Sequence, residues 1–248
     1  MNEAPPPTID ALGQFRLSPV IGALGFSQSN VFMLVAAALT LALLYFGMRP
    51  RAVVPGRFQA LAEFAYEGIM GMCTSTIGHE GRKFFPFVFT LFFFILFGNL
   101  LGLLPFSFTY TSHIVVTFTL ALIVFLLTTI VALTIHGTHF FSYFFPKGAP
   151  VLLAPLIVPV EIISYLSRLI SLPVRLFANM VAGHVMFEVF ASFVVMLGGA
   201  GLVGGIAAIF PLGINVILMG FELLVAFLQA YVFAILTCIY LHDAVHLH

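Results

Sequence analysis

Charge is what this chain has least of. Nine lysines and arginines and nine aspartates and glutamates make up 7% of its 248 residues, where a soluble domain carries about 25% charged residues. No soluble surface can be built from so little. With a formal net charge of zero, the chain has neither the basic footprint of a nucleic-acid binder nor an acidic tail, and no nucleic-acid partner is expected. Cysteine is scarce too. Cys73 and Cys238 are far apart in the sequence and show no paired-ligand spacing, so two ordinary buried thiols are expected rather than a disulfide framework or a zinc site. The start, MNEAPPPTIDALGQFR, lacks a basic stretch leading straight into an apolar one. No cleavable signal peptide is expected there, and the chain reads as mature from Met1.

What the chain has in abundance is apolar length, at 62% hydrophobic residues. A spanning helix needs about 20 such residues to cross roughly 30 Å of hydrocarbon. Residues 30–48 qualify, carry no charge and end at Arg49, Pro50 and Arg51. Residues 55–78 differ. Phe58, Leu61, Ala62, Ala65, Ile69 and Met72 recur at helical spacing opposite Gln59, Glu63 and Glu67, which predicts an amphipathic helix on the membrane surface or against a neighbour. Residues 84–104 form a second span, stopped by Pro105, and residues 114–135 a third, after the loop SFTYTSH. No formal charge lies between Lys83 and Lys147, so this pair reads as a transmembrane hairpin.

Residues 151–197 would be roughly 70 Å long as one helix at 1.5 Å per residue. Such a helix must tilt strongly, kink at Pro155, Pro159 or Pro173, or fold back. GGAGLVGG, Gly198 to Gly205, reads as a flexible break, and residues 206–241 are again too long for an upright span. The expected fold is an all-α polytopic membrane protein. It has one membrane domain over residues 1–248, with a tail over residues 1–29, five membrane helices and one amphipathic surface helix. The last two membrane helices are long, strongly tilted and paired as a hairpin.

Basic residues in short loops set orientation. Five crossings put Arg49, Arg51, Arg57, Arg82, Lys83 and Lys147 on one side, expected to be the cytoplasm. Arg16, with Glu3 and Asp10, is left on the other, so the N-terminus is expected outside and the C-terminus inside.

Each charge at bilayer depth costs about 2.5 to 3.5 kcal/mol on insertion scales and needs a reason. Glu161, Ser164, Arg168, Ser171 and Arg175 follow at steps of three and four along one helix face, and Asn179 extends the stripe. In the last helix Asn215, Glu222 and Gln229 repeat every seven residues, which keeps them on one face. Arg175 stays protonated, so it can hold a deprotonated acid but cannot relay a proton. His184 and Glu188, with Glu161 and Glu222, can take up and release protons.

Blander readings stand beside this one. Polar stripes in membrane helices often only join helices, and Ser164 or Ser171 fits that role. A secondary transporter holding an anionic substrate on Arg175 is the alternative function, though it calls for internal repeats that the spans do not show. Haem ligation by His113, His136, His139 or His184 competes with ordinary interfacial histidines. The C-terminal HDAVHLH, with His242, His246 and His248, reads as a solvated tail without a closed metal set. No cofactor or metal is expected.

The run SRLISLPVRLFANMVAGH, Ser167 to His184, followed by ELLVAFLQAYVFAILTCIYL, Glu222 to Leu241, resembles subunit a of the membrane sector of rotary, F-type ATP synthases. FGNLLGLLP, Phe97 to Pro105, and the order of spans extend the resemblance from about Asn30 onward. It implies a non-catalytic stator subunit that passes protons to a c-ring, beside which the last two helices lie. Peripheral-stalk b-type subunits, other ATP synthase subunits and membrane lipid are the further partners implied.

Arg175 then matches the arginine facing the rotor carboxylates. By the resemblance Asn179, His184, Glu222 and Gln229 fall to the proton inlet and Glu161 and Ser171 to the outlet; Glu188, as a titratable neighbour of His184, is added to the inlet, and Ser164, Arg168, Asn99 and Asn215 are read as auxiliary polar residues. Many bacterial members put a carboxylate at the His184 position and an imidazole at the Glu222 position, the reverse of this chain. Some carry an acid where Gly102 stands, and a role for that acid does not transfer. A bacterial plasma membrane is the expected location, with the mitochondrial inner membrane as the alternative.

Overall fold

The computed structural model describes residues 19–21, 26–47, 56–104, 109–137, 140, 153–199 and 201–246. Expectations resting on Glu3, Asp10, Arg16, Arg49, Pro50, Arg51, Pro105, His139, Lys147 and His248 lie outside the described residues. The chain opens on a two-stranded antiparallel ladder, β1 (Pro19–Ile21) and β2 (Phe26–Ser27), pairing Pro19 with Ser27. This small element falls in a stretch read from sequence only as tail.

The helices are α1 (Gln28–Gly47), α2 (Arg57–Ile77), α3 (Gly81–Gly102), α4 (Ile114–His136), α5 (Ala154–Gly198), α6 (Gly201–Ala207) and α7 (Ile209–Val245). A single 3-10 turn, Tyr110–Ser112, precedes α4. Five helical stretches are long and apolar enough to cross a membrane, α6 and α7 together forming the last, so the protein is an all-α, multi-pass membrane protein.

α3 is the centre of the bundle. Just over half of its apolar window, 56%, is buried, against 6% for α5. Phe85, Phe89, Phe92 and Phe93 fill the space between helices, with ring centroids 4.6 Å apart for Phe89 and Phe93. Aromatic pairs in such tilted geometry add to what apolar burial alone supplies. Two small residues let the 3-10 turn close onto α3: a side chain at Gly98 would collide with the Tyr110 hydroxyl, and one at Gly102 with Thr109.

α2 packs by its C-terminal half. Ile69, Met72, Cys73 and Ile77 are buried in the common core, whereas Phe58, Leu61 and Phe64 near its start remain exposed. The apolar face read from sequence is therefore covered over only part of its length.

α5 is one continuous helix of 45 residues. Pro155 sits at its start, where the missing N–H costs nothing. Pro159 and Pro173 lie inside it, and each leaves a carbonyl one turn earlier without its helical donor. The helix continues past both.

The glycine-rich break is shorter than its composition suggests. Gly201 turns the chain at φ +84°, a region that favours glycine, and α6 is helical immediately afterwards. The interruption between α6 and α7 falls at Ala208. Its cause is local, because residue 211 is proline and cannot donate to the Ala207 carbonyl.

The C-terminal stretch corrects the tail expectation. α7 runs on to Val245, Ala244 is buried, and His246 Nε2 lies 3.4 Å from the Ile77 carbonyl of α2. His136, at the end of α4, lies 3.2 Å from the Val245 carbonyl. These histidines anchor the last turn of the bundle.

Candidate functional site

Glu222 points from α7 toward α5 and is only 7% exposed. A carboxylate at that depth is costly unless it is paired or shares a proton. Its Oε1 lies 3.8 Å from His184 Nε2 and has no hydrogen-bond partner among the described residues. The same His184 nitrogen is 2.9 Å from the hydroxyl of Thr109, which stands just before the 3-10 turn. Three elements thus meet at one imidazole. His184 and Glu222 can hold one proton between them in either arrangement, neutral with neutral or cation with anion.

Beside this pair is a cavity of about 240 Å³ lined by Asn179, Gly183, Met186, Leu218, Phe221 and Glu222, among others. That is ample room for several waters, and the polar groups at its wall supply partners for them. Asn179 donates to Gln229 Oε1 at 2.9 Å, closing α5 onto α7 just beyond the cavity. Glu188, one turn past His184, is half-buried and is not among the residues lining it.

Two of the auxiliary asparagines act as clamps. Asn215 is buried on α7, donates to the Phe187 carbonyl at 3.2 Å and accepts from the Ala191 N–H at 3.1 Å. Asn99 donates to the Ala226 carbonyl at 3.2 Å and accepts from the Thr111 hydroxyl at 2.9 Å. Each satisfies a buried amide by bridging elements, which suits joining helices.

The members of the stripe on α5 differ in burial and in partners. Arg168 turns inward, where it meets Asp243 of α7 at 2.9 Å and lies over the ring of Tyr240, 4.9 Å from its centroid. Tyr165 flanks the guanidinium at 5.8 Å and shares a 2.6 Å hydrogen bond with Thr129 of α4. A small space of about 20 Å³ lies among Arg168, Asp243, Tyr165 and Tyr240, enough for about one water. Ser164 and Ser171 are exposed, and Glu161 is half-buried.

Arg175 is different again. It is exposed on α5, seven residues beyond Arg168 and so nearly in line with it, and forms no salt bridge among the described residues. A permanent cation on a membrane-facing surface has to be matched by a partner outside this chain or by the lipid boundary.

The structure thus brings together His184, Glu222, Asn179 and Gln229, and separately Arg168 with Asp243, while Arg175 is left exposed. Thr109, Tyr165, Tyr240 and Asp243 were missed in the sequence reading. Asp243 carried a signal, a lone carboxylate two residues after Leu241 at the end of the last apolar run. Thr109 carried none beyond its polar loop.

Residues 30–242 match the family described as ATP synthase A chain. The chain is 67% identical to ATP synthase subunit a of Granulibacter bethesdensis over 98% of each chain. It is 65% identical to ATP synthase subunit a of Gluconacetobacter diazotrophicus over 96% of this chain and 97% of the relative. With ATP synthase subunit a of Gluconobacter oxydans the identity is 62%, over 96% and 97%.

Proposed function

Since the chain belongs to the ATP synthase A chain family, we propose that it is the proton-translocating stator subunit of an ATP synthase, non-catalytic by itself. The alternative of a transporter binding an anion on Arg175 finds no support among these relatives. The observation that carries the proton reading is the buried Glu222 whose Oε1, unpartnered among the described residues, lies 3.8 Å from His184 beside a cavity large enough for water.

Two offset half-channels that do not meet lie on either side of Arg175. Protons arrive by way of Asn179, Gln229, His184 and Glu222, with Glu188 one turn away. They leave past Glu161 and Ser171, where Arg168 and Asp243 add a charged pair at the same end of the hairpin. A carboxylate on each rotor subunit accepts a proton from the first path and gives it up to the second. Arg175 attracts the ionised carboxylate and blocks a direct leak.

The leak matters energetically. One charge crossing the whole membrane potential is worth about 2.3 kcal/mol per 100 mV, and a shortcut past the arginine would spend it without rotation.

The sparsely covered outer side of α5 is where we place the c-ring, with b-type subunits of the peripheral stalk against the remaining bundle. The bilayer is a bacterial plasma membrane, with the N-terminus outside and the C-terminus in the cytoplasm. The whole chain, α2 included, forms one membrane domain.

The decisive test uses membrane vesicles containing the whole complex and an imposed proton gradient. Arg175→Ala is expected to abolish ATP synthesis while leaving the complex assembled. Near-normal synthesis from an assembled variant would overturn the assignment.

A further inference from the structure

Cys73 of α2 and Cys238 of α7 are 165 residues apart in sequence, yet their sulfurs stand 3.7 Å apart with both residues fully buried. Both thiols are free. A buried cysteine by itself behaves as a small hydrophobe. Two in contact are another matter, because disulfide formation requires only that one sulfur reach the other, to about 2.05 Å.

The surroundings hold the pair in place. Ile77, one turn beyond Cys73, receives the contact from His246, two turns beyond Cys238, so the two helices run side by side across both points. A side chain at Gly81 would come within 2.5 Å of the Cys73 carbonyl, which shows how closely the α2 to α3 turn is pressed onto that residue. Ile69, Met72, Ala234 and Leu241 complete an apolar core around the sulfurs. No group of the proton paths lies in it: Glu222 is more than four turns away along α7.

We propose that Cys73 and Cys238 form an oxidisable dithiol site, whose two-electron oxidation by an organic hydroperoxide joins α2 to α7 through an intrachain disulfide. An apolar setting inside a bilayer selects that class of oxidant over a polar one. In the first step one sulfur attacks the peroxide, the O–O bond breaks, the sulfur becomes a sulfenic acid and an alcohol leaves. In the second, the other thiol attacks that sulfur, the S–S bond forms, the S–O bond breaks and the thiol proton leaves with the hydroxyl as water. In a reducing cytoplasm the resting form is the dithiol.

The chemistry does not depend on the proton-path reading, and it can be tested apart from it. Vesicles bearing the intact complex are treated with cumene hydroperoxide and quenched in acid. Remaining thiols are alkylated under denaturing conditions, and the digested chain is read by mass spectrometry. A peptide joining Cys73 to Cys238, cleaved by dithiothreitol and lost in Cys73→Ser and in Cys238→Ser, is the expected major product. Recovery of both cysteines as separate alkylated thiols, sulfinic acids or disulfides to other chains, at doses that oxidise methionines of the same chain, would overturn the proposal. The unsubstituted chain decides this even where a serine variant does not assemble.

Discussion

A side chain on Gly183 would stand 2.8 Å from the Glu222 Oε1, so the bare α-carbon of one helix makes room for the acid of the other. Contact that close is almost never seen for a real β-carbon, and the listening partner, His184, is the next residue along α5. The spacing of His184 and Glu222 therefore depends on a residue that carries no chemistry itself.

Gly183→Ala is accordingly expected to push the carboxylate away from the imidazole without adding a charge or removing a hydrogen bond. A displacement on the scale of an ångström at a reacting group can cost up to about 100-fold, and a shift of a few tenths here should slow proton-driven synthesis roughly tenfold. Unchanged synthesis in vesicles with normal complex content would show that the pair tolerates more slack than the geometry allows.

Substituting the pair itself probes the relay. His184→Ala and Glu222→Gln should each slow proton-driven synthesis by about 100-fold, the lower end of what positioned acid and base groups supply. The exchange of both, His184→Glu with Glu222→His, should recover part of the loss. A His184→Ala complex whose turnover matched the parent at every pH from about 6 to about 9, a window that takes in ordinary imidazole titration near its lower end, would rule the relay out.

Arg168 and Asp243 make a separate prediction at the other end of the hairpin. Their ion pair is about one-fifth exposed on each side, so it is neither fully screened nor fully buried. Asp243→Asn should weaken the hold of α7 on α5 by about 1.5 kcal/mol, the low end for a charged hydrogen bond. Amide exchange over residues 237–246 should rise by about tenfold, the factor that roughly 1.4 kcal/mol represents. Protection equal to the parent would mean that Tyr240 and Tyr165 hold the guanidinium without help.

A fourth concerns Gly102, where the close approach of Thr109 leaves no room for a side chain. Gly102→Asp should therefore displace Thr109 from His184 and destabilise the bundle by about 1 to 3 kcal/mol through overpacking. Yield and heat resistance of the solubilised complex read this directly, and wild-type values for both would refute it.

Much of the helical layout was legible because apolar length and helical period are local properties. The bend at Gly201 was visible as glycine, but the interruption at Ala208 needed the consequence of Pro211 worked through to the carbonyl it fails to bond. The polar stripe was legible as spacing only. Steps of three and four keep residues on one face but do not name their partners, so nothing local said that Arg168 would meet Asp243 while Arg175 would be left exposed. His184 and Glu222 were each recognisable as titratable, but their meeting through Thr109 depends on a tertiary closure of α3, the 3-10 turn and α5. The thiol contact is of the same kind: two cysteines with no spacing signal become neighbours only once α2 lies along α7.

The scant covering of α5 has a bearing on biogenesis. With 6% of its apolar window enclosed by the chain itself, this helix gains little from the fold it belongs to and leaves Arg175 and two serines facing outward. A newly inserted copy that finds no partner carries that penalty in the lipid, about 2.5 to 3.5 kcal/mol for the arginine alone. A covering partner that shields α5 and meets the arginine removes that cost, so assembly stabilises the inserted helix itself.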